Sequence, residues 1–274
     1  MKTKIWLTSA ILIISYSLAE AQYYYGAPPP PPPQRRHAPR EQKQEEEESN
    51  YTPKGFVAIN TGLSYVTGNF GNNVGTNYGN YALNGTTENV SAGIPINHTN
   101  FGISLSLGYF INPFDINSYV TNINYADPNA ANEQYVYGDQ YYYVERGFMA
   151  GGFYTYPYKR FSFDGKLQIG ILSCLFPEVD YGYYVGNATY PYSYSIAPSK
   201  SESFAIDVGA GVRFSLRRNA CLMLSADYLN STARYNTLVQ LVDPSGNTFQ
   251  HSLTGTIPIS LFSINIGIGM EFGR

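Results

Sequence analysis

Apolar and polar residues alternate through four long stretches of this chain. In residues 101–111 nearly every second side chain is aliphatic or aromatic, and most of those between are glycine or serine. Residues 161–171, 204–216 and 262–272 repeat this pattern. Because successive side chains of a strand point to opposite faces, a period of two indicates β-strands that each carry one apolar face.

The strands predicted from this pattern are long. Most exceed the roughly 5–6 residues of a typical soluble strand, and they reach the roughly 9–11 residues that a tilted strand needs to cross a membrane. There are eight of them, at about residues 55–69, 98–111, 117–126, 142–156, 160–175, 203–217, 220–235 and 258–272.

The connections between these strands alternate between long and short. The short ones fall at residues 112–116, 157–159 and 217–219, and the long ones lie near residues 70–97, 127–141, 176–202 and 236–257. Outer-membrane barrels have short periplasmic turns and longer external loops. The sequence therefore predicts a closed eight-stranded antiparallel transmembrane β-barrel in the outer membrane. Its loops 70–97 and 176–202 are expected outside the cell, and both chain ends in the periplasm.

The two faces of each strand assign residues to lipid or to the lumen. The apolar face is expected to contact lipid through Ile103, Leu105, Leu107, Ile169, Val208, Val212, Ile266 and Ile268. The other face places a charged network in the lumen, formed by Asp164, Lys166, Asp207, Arg213, Asp227 and Glu271. Eight strands enclose a lumen that side chains can just fill, so we expect no wide pore.

Within that network we expect two groups. Arg213 lies near the periplasmic end with Asp164 and Glu271, where its guanidinium can fork between two carboxylates. Lys166 is the nearest cation to Asp207 and Asp227, higher in the lumen. Two interpretations stay open: a structural ion-pair plug, or a cation or ligand site at the two aspartates that opens when Lys166 moves.

The N-terminal residues predict export. Residues 1–21 combine two lysines, an apolar run and the small-residue pattern Ala19-Glu20-Ala21, which is typical of a cleaved signal peptide. Residues 22–54 contain six consecutive prolines and an acidic run, so we expect a disordered periplasmic leader. The leader is either a tether or a docking strip for a periplasmic or cell-wall partner. The barrel is expected to occupy residues 55–274.

Composition narrows the chemistry. The formal net charge of -3 argues against nucleic-acid binding. Cys174 and Cys221 fall near opposite ends of the barrel, so no disulfide is expected between them. Three histidines occur, His37, His98 and His251, and a solvated role is expected for them rather than catalysis. We expect no enzyme activity, no cofactor and no metal.

The aromatic residues allow two interpretations. Tyrosines are concentrated around the predicted outer loops, at residues 141–143 and 181–194. A membrane-interface girdle is expected there in outer-membrane barrels. An exposed binding surface is the alternative, because tyrosine supplies a large rigid contact area at low entropic cost.

Three segments carry a resemblance to a known family. These are the segment from Gly147 to Phe153, the segment from Tyr156 to Asp164, and the ending from Ile266 to Phe272. Residues 55–274 resemble the small outer-membrane β-barrel domain proteins common in Bacteroidota. The resemblance implies eight antiparallel strands, insertion in outer-membrane lipid by the barrel-assembly machinery, and no shared ligand.

The expected function is that of a non-enzymatic barrel. It would contribute to envelope integrity or present its loops to an extracellular partner that the sequence does not identify. A narrow channel or small-ligand transporter is the alternative, and a lipid-modifying enzyme is a third interpretation.

Overall fold

The structure is a computed structural model that describes residues 53–72, 80–97, 99–126, 134–137, 141–184, 192–216 and 219–273. The predicted signal peptide and nearly all of the leader lie outside the described residues. The elements in chain order are β1 (Gly55–Thr67), a 3-10 turn (Gly68–Gly71), β2 (Gly85–Pro95), β3 (Phe101–Pro113), α1 (Ile116–Ala126), β4 (Gln134–Tyr137), β5 (Tyr142–Tyr158), β6 (Phe161–Phe176), β7 (Val179–Tyr184), β8 (Tyr192–Ile196), β9 (Ser199–Ser215), β10 (Ala220–Val242) and β11 (Thr248–Phe272).

Eight of these strands form a closed antiparallel ring. The order around the ring is β1, β2, β3, β5, β6, β9, β10 and β11. The ring closes where β1 pairs with β11, from Gly55 opposite Phe272 to Thr67 opposite Ser260. The predicted all-β fold, a closed eight-stranded antiparallel barrel, is confirmed.

One predicted strand is wrong, because residues 117–126 belong to helix α1. Asp115 precedes the helix, and its carboxylate accepts hydrogen bonds from the backbone N–H of Ser118 (3.1 Å) and from its hydroxyl (2.6 Å). Such a cap satisfies a donor that the first helical turn leaves unbonded. Ile116, Tyr119 and Val120 are buried, at the i, i+3, i+4 spacing of a helix face. Within the described residues no helix is long and apolar enough to cross a membrane.

Strand β2 lies inside the segment predicted as the loop 70–97, so that prediction is wrong for residues 85–95. Its inward side chains are polar, and Glu88 is among the outward ones, which weakens the alternation. Because β2 takes the second place in the ring, β3 runs in the direction opposite to the one predicted. The short connections are then residues 96–100, 159–160 and 216–219, and they lie at the same end as Gly55 and Phe272. The predicted short turn 112–116 lies at the other end and leads into α1.

The predicted long loop at residues 236–257 is also wrong. β10 and β11 keep pairing from Ala220 opposite Met270 to Val242 opposite Thr248, well beyond the end of β1. We call residues 231–259 the projecting hairpin. The predicted loop 176–202 likewise contains β7 and β8. These two strands and β4 extend the sheet on the β10 side in the order β10, β8, β7, β4.

The outward side chains form an apolar belt around the ring. The predicted outward set is confirmed: Ile103, Leu105, Leu107, Ile169, Val208, Ile266 and Ile268 are exposed, and Val212 is half-buried. Aromatic pairs mark the belt near the short turns, with Phe101 against Tyr154 (ring centroids 5.0 Å apart) and Phe161 against Phe214 (4.9 Å).

Candidate functional site

We call the end of the lumen next to the short connections the lower lumen. It is organised around Arg213 of β9, whose side chain is 1% exposed. Its guanidinium donates two hydrogen bonds to Asp164 on β6, from Nε (2.6 Å) and from Nη2 (3.0 Å). Nη1 lies 3.6 Å from Glu271 on β11. Nη2 also donates to the Thr155 hydroxyl on β5 at 3.2 Å. One arginine therefore joins four strands across the lumen.

Two further contacts hold the Arg213 guanidinium and the Glu271 carboxylate in place. The Arg213 guanidinium lies over the ring of Phe56, 4.3 Å from its centroid, in a cation–π arrangement. The Ser215 hydroxyl donates to Glu271 at 2.6 Å. Charges removed from water must be paired and hydrogen-bonded, and at this end of the lumen the ion pairs and hydrogen bonds around Arg213 supply most of that pairing.

Lys166 of β6 organises the middle of the lumen. Its ammonium lies 2.9 Å from Asp207 on β9 and 3.0 Å from Asp227 on β10. Asp227 also accepts hydrogen bonds from Ser225 (3.1 Å) and Asn265 (3.2 Å). The structure thus brings the six candidate residues together as two separate groups of three: Arg213 with Asp164 and Glu271, and Lys166 with Asp207 and Asp227.

Neutral polar side chains fill the space beside Lys166. Gln168 donates to the Ser104 hydroxyl (2.9 Å) and accepts from the Ser106 hydroxyl (2.8 Å). Asn60 donates to Asn89 at 2.6 Å. Two chambers of about 30 Å³ each remain, and both touch Lys166 and Asp227. A chamber of that size holds a water molecule or two.

Glu145 on β5 is a buried ionisable residue that the sequence interpretation does not single out. Its side chain points into the upper lumen, is fully buried, and neither carboxylate oxygen has a hydrogen-bond partner among the described residues. Its cross-strand neighbours are Phe110 and Cys174. The alternation of inward and outward positions along β5 was the sequence signal that could have identified it, because Glu145 lies on the same face of β5 as Tyr143.

An aromatic cap closes the lumen beyond Glu145. Tyr143 lies at its centre, fully buried, with its hydroxyl donating to the backbone oxygen of Asn80 at 2.7 Å. The rings of Phe70, Phe114 and Phe176 surround it with centroids 5.0, 5.9 and 5.7 Å away. Helix α1 adds Tyr119 to the cap, and the burial of this side chain raises the pKa of its phenol.

The tyrosines therefore do not form one outer girdle. Tyr143 and Tyr181 are buried in the cap, Tyr142 is exposed, and Tyr192 and Tyr194 are half-buried. The side chains of residues 183, 184 and 190 lie outside the described residues. Of the described tyrosines in this set, Tyr143 and Tyr181 thus belong to the core of the cap, which neither sequence interpretation anticipated.

The remaining candidates are dispersed. Cys174 and Cys221 are both buried and free. His251 is exposed on the projecting hairpin, whereas His37 and His98 lie outside the described residues. Within the described part of the chain, no three His, Cys, Asp or Glu side chains lie together as a metal site.

No protein-family model matches this chain, and no curated protein sequence matches it. Among solved structures, it is similar to a major outer membrane protein from Thermus thermophilus, with 14% identity and a TM-score of 0.42 over 80% of this chain and 99% of that one. It is also similar to Neisserial surface protein A, with 12% identity and a TM-score of 0.43 over 80% and 97% of the two chains.

A third similar structure is Ail, the attachment invasion locus protein of Yersinia pestis. Its identity is 12% and its TM-score 0.38, over 80% of this chain and all (100%) of that one. At these identities the likenesses concern the fold alone.

Proposed function

We propose that this chain is a non-enzymatic outer-membrane protein that presents its cap and projecting hairpin to an extracellular partner. The observation that carries the proposal is a barrel whose lumen is filled while one hairpin extends far beyond the ring. A filled lumen favours a structural or binding role over a channel. An extended hairpin favours binding.

The apolar belt supports insertion in a membrane. On β11 the outward side chains are apolar from Phe262 to Phe272. At about 3.3 Å per residue and a tilt of about 40°, this stretch spans about 25 Å, the height of the apolar band of an outer-membrane barrel. In water, such an exposed belt would drive aggregation.

Two features of the ring support one orientation. Gly55 at the start of β1, Phe272 at the end of β11 and the short connections share one end of the ring, and short turns are typical of the periplasmic side. The cap and the projecting hairpin lie at the opposite end. We therefore place both termini in the periplasm, where the Pro-rich leader would act as a tether. We also propose that residues 55–274 belong to the small outer-membrane β-barrel proteins of the Bacteroidota type.

The projecting hairpin offers a free strand edge. Residues 248–259 pair with β10 on one side, and within the described residues no strand pairs with their other side. Natural edges usually carry lysine, proline or a bulge. This edge has no lysine, and its proline is Pro258. An extended segment of a partner binds such an edge by strand addition.

The contacts of β10 show which backbone groups face that edge. The N–H of Asn236 donates to Ser199 at 3.2 Å, on the side of β10 that faces away from β11. Asn236 pairs with Thr254, so this is a non-hydrogen-bonded pair of the hairpin. In an antiparallel ladder the N–H and C=O of Thr254 then point to the free edge.

Cysteine labelling tests the orientation. Cys174 and Cys221 are buried, so background labelling of the native chain should be low. A membrane-impermeant maleimide added to intact cells should label Ser252→Cys, on the hairpin, and should label Arg160→Cys, in a short turn, only after lysis. The reverse pattern would contradict the proposed orientation.

Two variants at one position test binding at the edge. Thr254→Pro removes an edge-facing N–H and leaves the ladder to β10 intact, whereas Thr254→Val keeps the N–H and the size of the side chain. Cross-linking on whole cells should capture an extracellular partner with the wild type and with Thr254→Val, but not with Thr254→Pro. Equal capture by all three forms would reject the edge as the binding surface.

Complementation separates binding from envelope integrity. If the barrel also contributes to integrity, both Thr254 variants should restore detergent resistance to a deletion strain as well as the wild type does. A loss of resistance confined to Thr254→Pro would assign the integrity role to the partner instead.

A further inference from the structure

A groove crosses the outer surface of the barrel where the apolar belt gives way to polar residues. It has a volume of about 490 Å³ and is lined by parts of β3, β5, β6 and β9. Its floor is apolar and exposed, made by Leu107, Phe148 and Ile171. These are adjacent cross-strand partners, so the floor continues the belt without interruption.

A polar row borders the floor on the side of the cap. Strand register places Tyr109, Arg146, Ser173 and Glu202 side by side on β3, β5, β6 and β9. The small side chain of Ser173 leaves a notch between the two charged neighbours. Thus an apolar surface ends directly at a notch that has the Ser173 hydroxyl at its base, Arg146 on one side and Glu202 on the other.

Arg146 is the unpaired charge of this row. Its guanidinium lies over the ring of Tyr109, 5.7 Å from the centroid, and within the described residues no carboxylate lies within 4.0 Å of it. Glu202 is already bound by Lys200 at 2.7 Å. Glu88 pairs across the strands with Tyr109 and so lies one strand beyond it. The uncompensated charge next to the notch is therefore positive.

We propose that this groove binds a phosphate-bearing membrane lipid. An acyl chain lies along Leu107, Phe148 and Ile171, and the phosphate enters the notch, where Arg146 donates a forked pair of hydrogen bonds and Ser173 donates one. Guanidinium matches phosphate in charge and geometry, and basic pockets at a membrane surface bind lipid headgroups. The inference rests on the proposed membrane insertion.

Native mass spectrometry of the purified barrel in detergent, titrated with dioctanoylphosphatidylglycerol, tests the site. Arg146→Gln should weaken binding about tenfold or more, the effect of losing charge-assisted hydrogen bonds. Arg234→Gln is the matched control, because Arg234 is an exposed arginine of β10 that does not line the groove. It should leave the affinity within about twofold of the wild type.

Two ligand arms separate a lipid site from a simple anion site. Glycerol 3-phosphate, which lacks the chains, and dioctanoylglycerol, which lacks the phosphate, should each bind at least about tenfold more weakly than the complete lipid. Equal binding of glycerol 3-phosphate, or equal loss in the Arg146 and Arg234 variants, would overturn the proposal.

A second variant keeps the test independent of Arg146. Ser173→Glu fills the notch with a carboxylate while Arg146 remains, and it should abolish binding of the phospholipid. Each variant is first inserted into vesicles and checked by circular dichroism. If the variants insert and label as the wild type does but bind the lipid equally well, the lipid site fails while the membrane barrel stands. A barrel that does not insert would reject both.

Discussion

Arg213 is the residue that connects most strands of the lower lumen. Replacing it with alanine leaves the carboxylates of Asp164 and Glu271 buried without a cation. Removal of one partner of a buried pair costs about 3–5 kcal/mol, so Arg213→Ala should lower the free energy of unfolding by that amount in a urea titration of the vesicle-inserted barrel. Lys200→Ala, which breaks an exposed pair, should cost far less. Similar losses in the two variants would show that the Arg213 group is not buried as described.

For Glu145 we expect the opposite: substitution should not lower the free energy of unfolding. Its carboxyl group is fully buried and has no hydrogen-bond partner among the described residues, and burying an ionisable group without a partner is costly whether it is charged or protonated. Glu145→Gln should therefore leave the free energy of unfolding unchanged or raise it. Gln168→Glu is the reciprocal variant: it adds a charge and removes the donor to Ser104, so it should lower stability by about 1–3 kcal/mol or more. Equal losses in both would show that Glu145 has a partner.

At the scale of elements, the turn of the projecting hairpin is held by one aspartate. The Asp243 carboxylate accepts hydrogen bonds from the backbone N–H groups of Ser245 (2.9 Å) and Asn247 (2.8 Å) and from the Asn247 side chain (2.8 Å). The side-chain hydrogen bond from Asn247 is the main cause of a pKa below the usual range for Asp243. A lowered pKa means that the ionised form stabilises the turn.

This contribution has a defined pH dependence. It is present above the ordinary aspartate pKa and is lost as pH falls through the lowered one. Amide protection factors of the hairpin tip should therefore decrease at acid pH in the wild type. In Asp243→Ala the protection factors should be low at neutral pH and at acid pH. A wild-type tip that keeps its protection in acid would contradict this role of Asp243.

The sequence pattern predicts some strands well and others poorly, and the difference has a physical cause. Strands with small polar residues inside and aliphatic residues outside, such as β3 and β11, have a clear period of two. β2 was missed because its faces differ less in polarity, with Glu88 on the outside. For α1 the sequence predicts a strand, because a local alternation conceals the Asp115 cap and the helical spacing of Ile116, Tyr119 and Val120.

The lumen site could be derived further than the cap. Parity alone placed Arg213 beside two carboxylates and Lys166 between two aspartates, because strand direction and register relate residues on neighbouring strands. The cap depends on contacts among α1, β7 and the ends of β3, β5 and β6. These contacts arise only after the chain folds back on itself, so no local period reveals them.

At the scale of the whole molecule, two exposed leucines distinguish a membrane barrel from a soluble one. Leu105 lies in the belt and is 47% exposed, and Leu238 lies on the projecting hairpin and is 57% exposed. Leu105→Arg should lower the free energy of unfolding in vesicles by about 2–4 kcal/mol, the cost of a cation in the lipid interior. Leu238→Arg should change it by at most about 0.5 kcal/mol, as at a surface in water. Equal effects would place both leucines in the same solvent.

We propose that this barrel is sealed and acts through its surface. Steady ionic current in a planar bilayer tests it most directly, with insertion of the same preparation verified by flotation with vesicles. A lumen filled by the Arg213 and Lys166 groups and covered by the aromatic cap predicts no stable open state. Stable porin-like currents from the wild type would contradict the account and establish a channel instead.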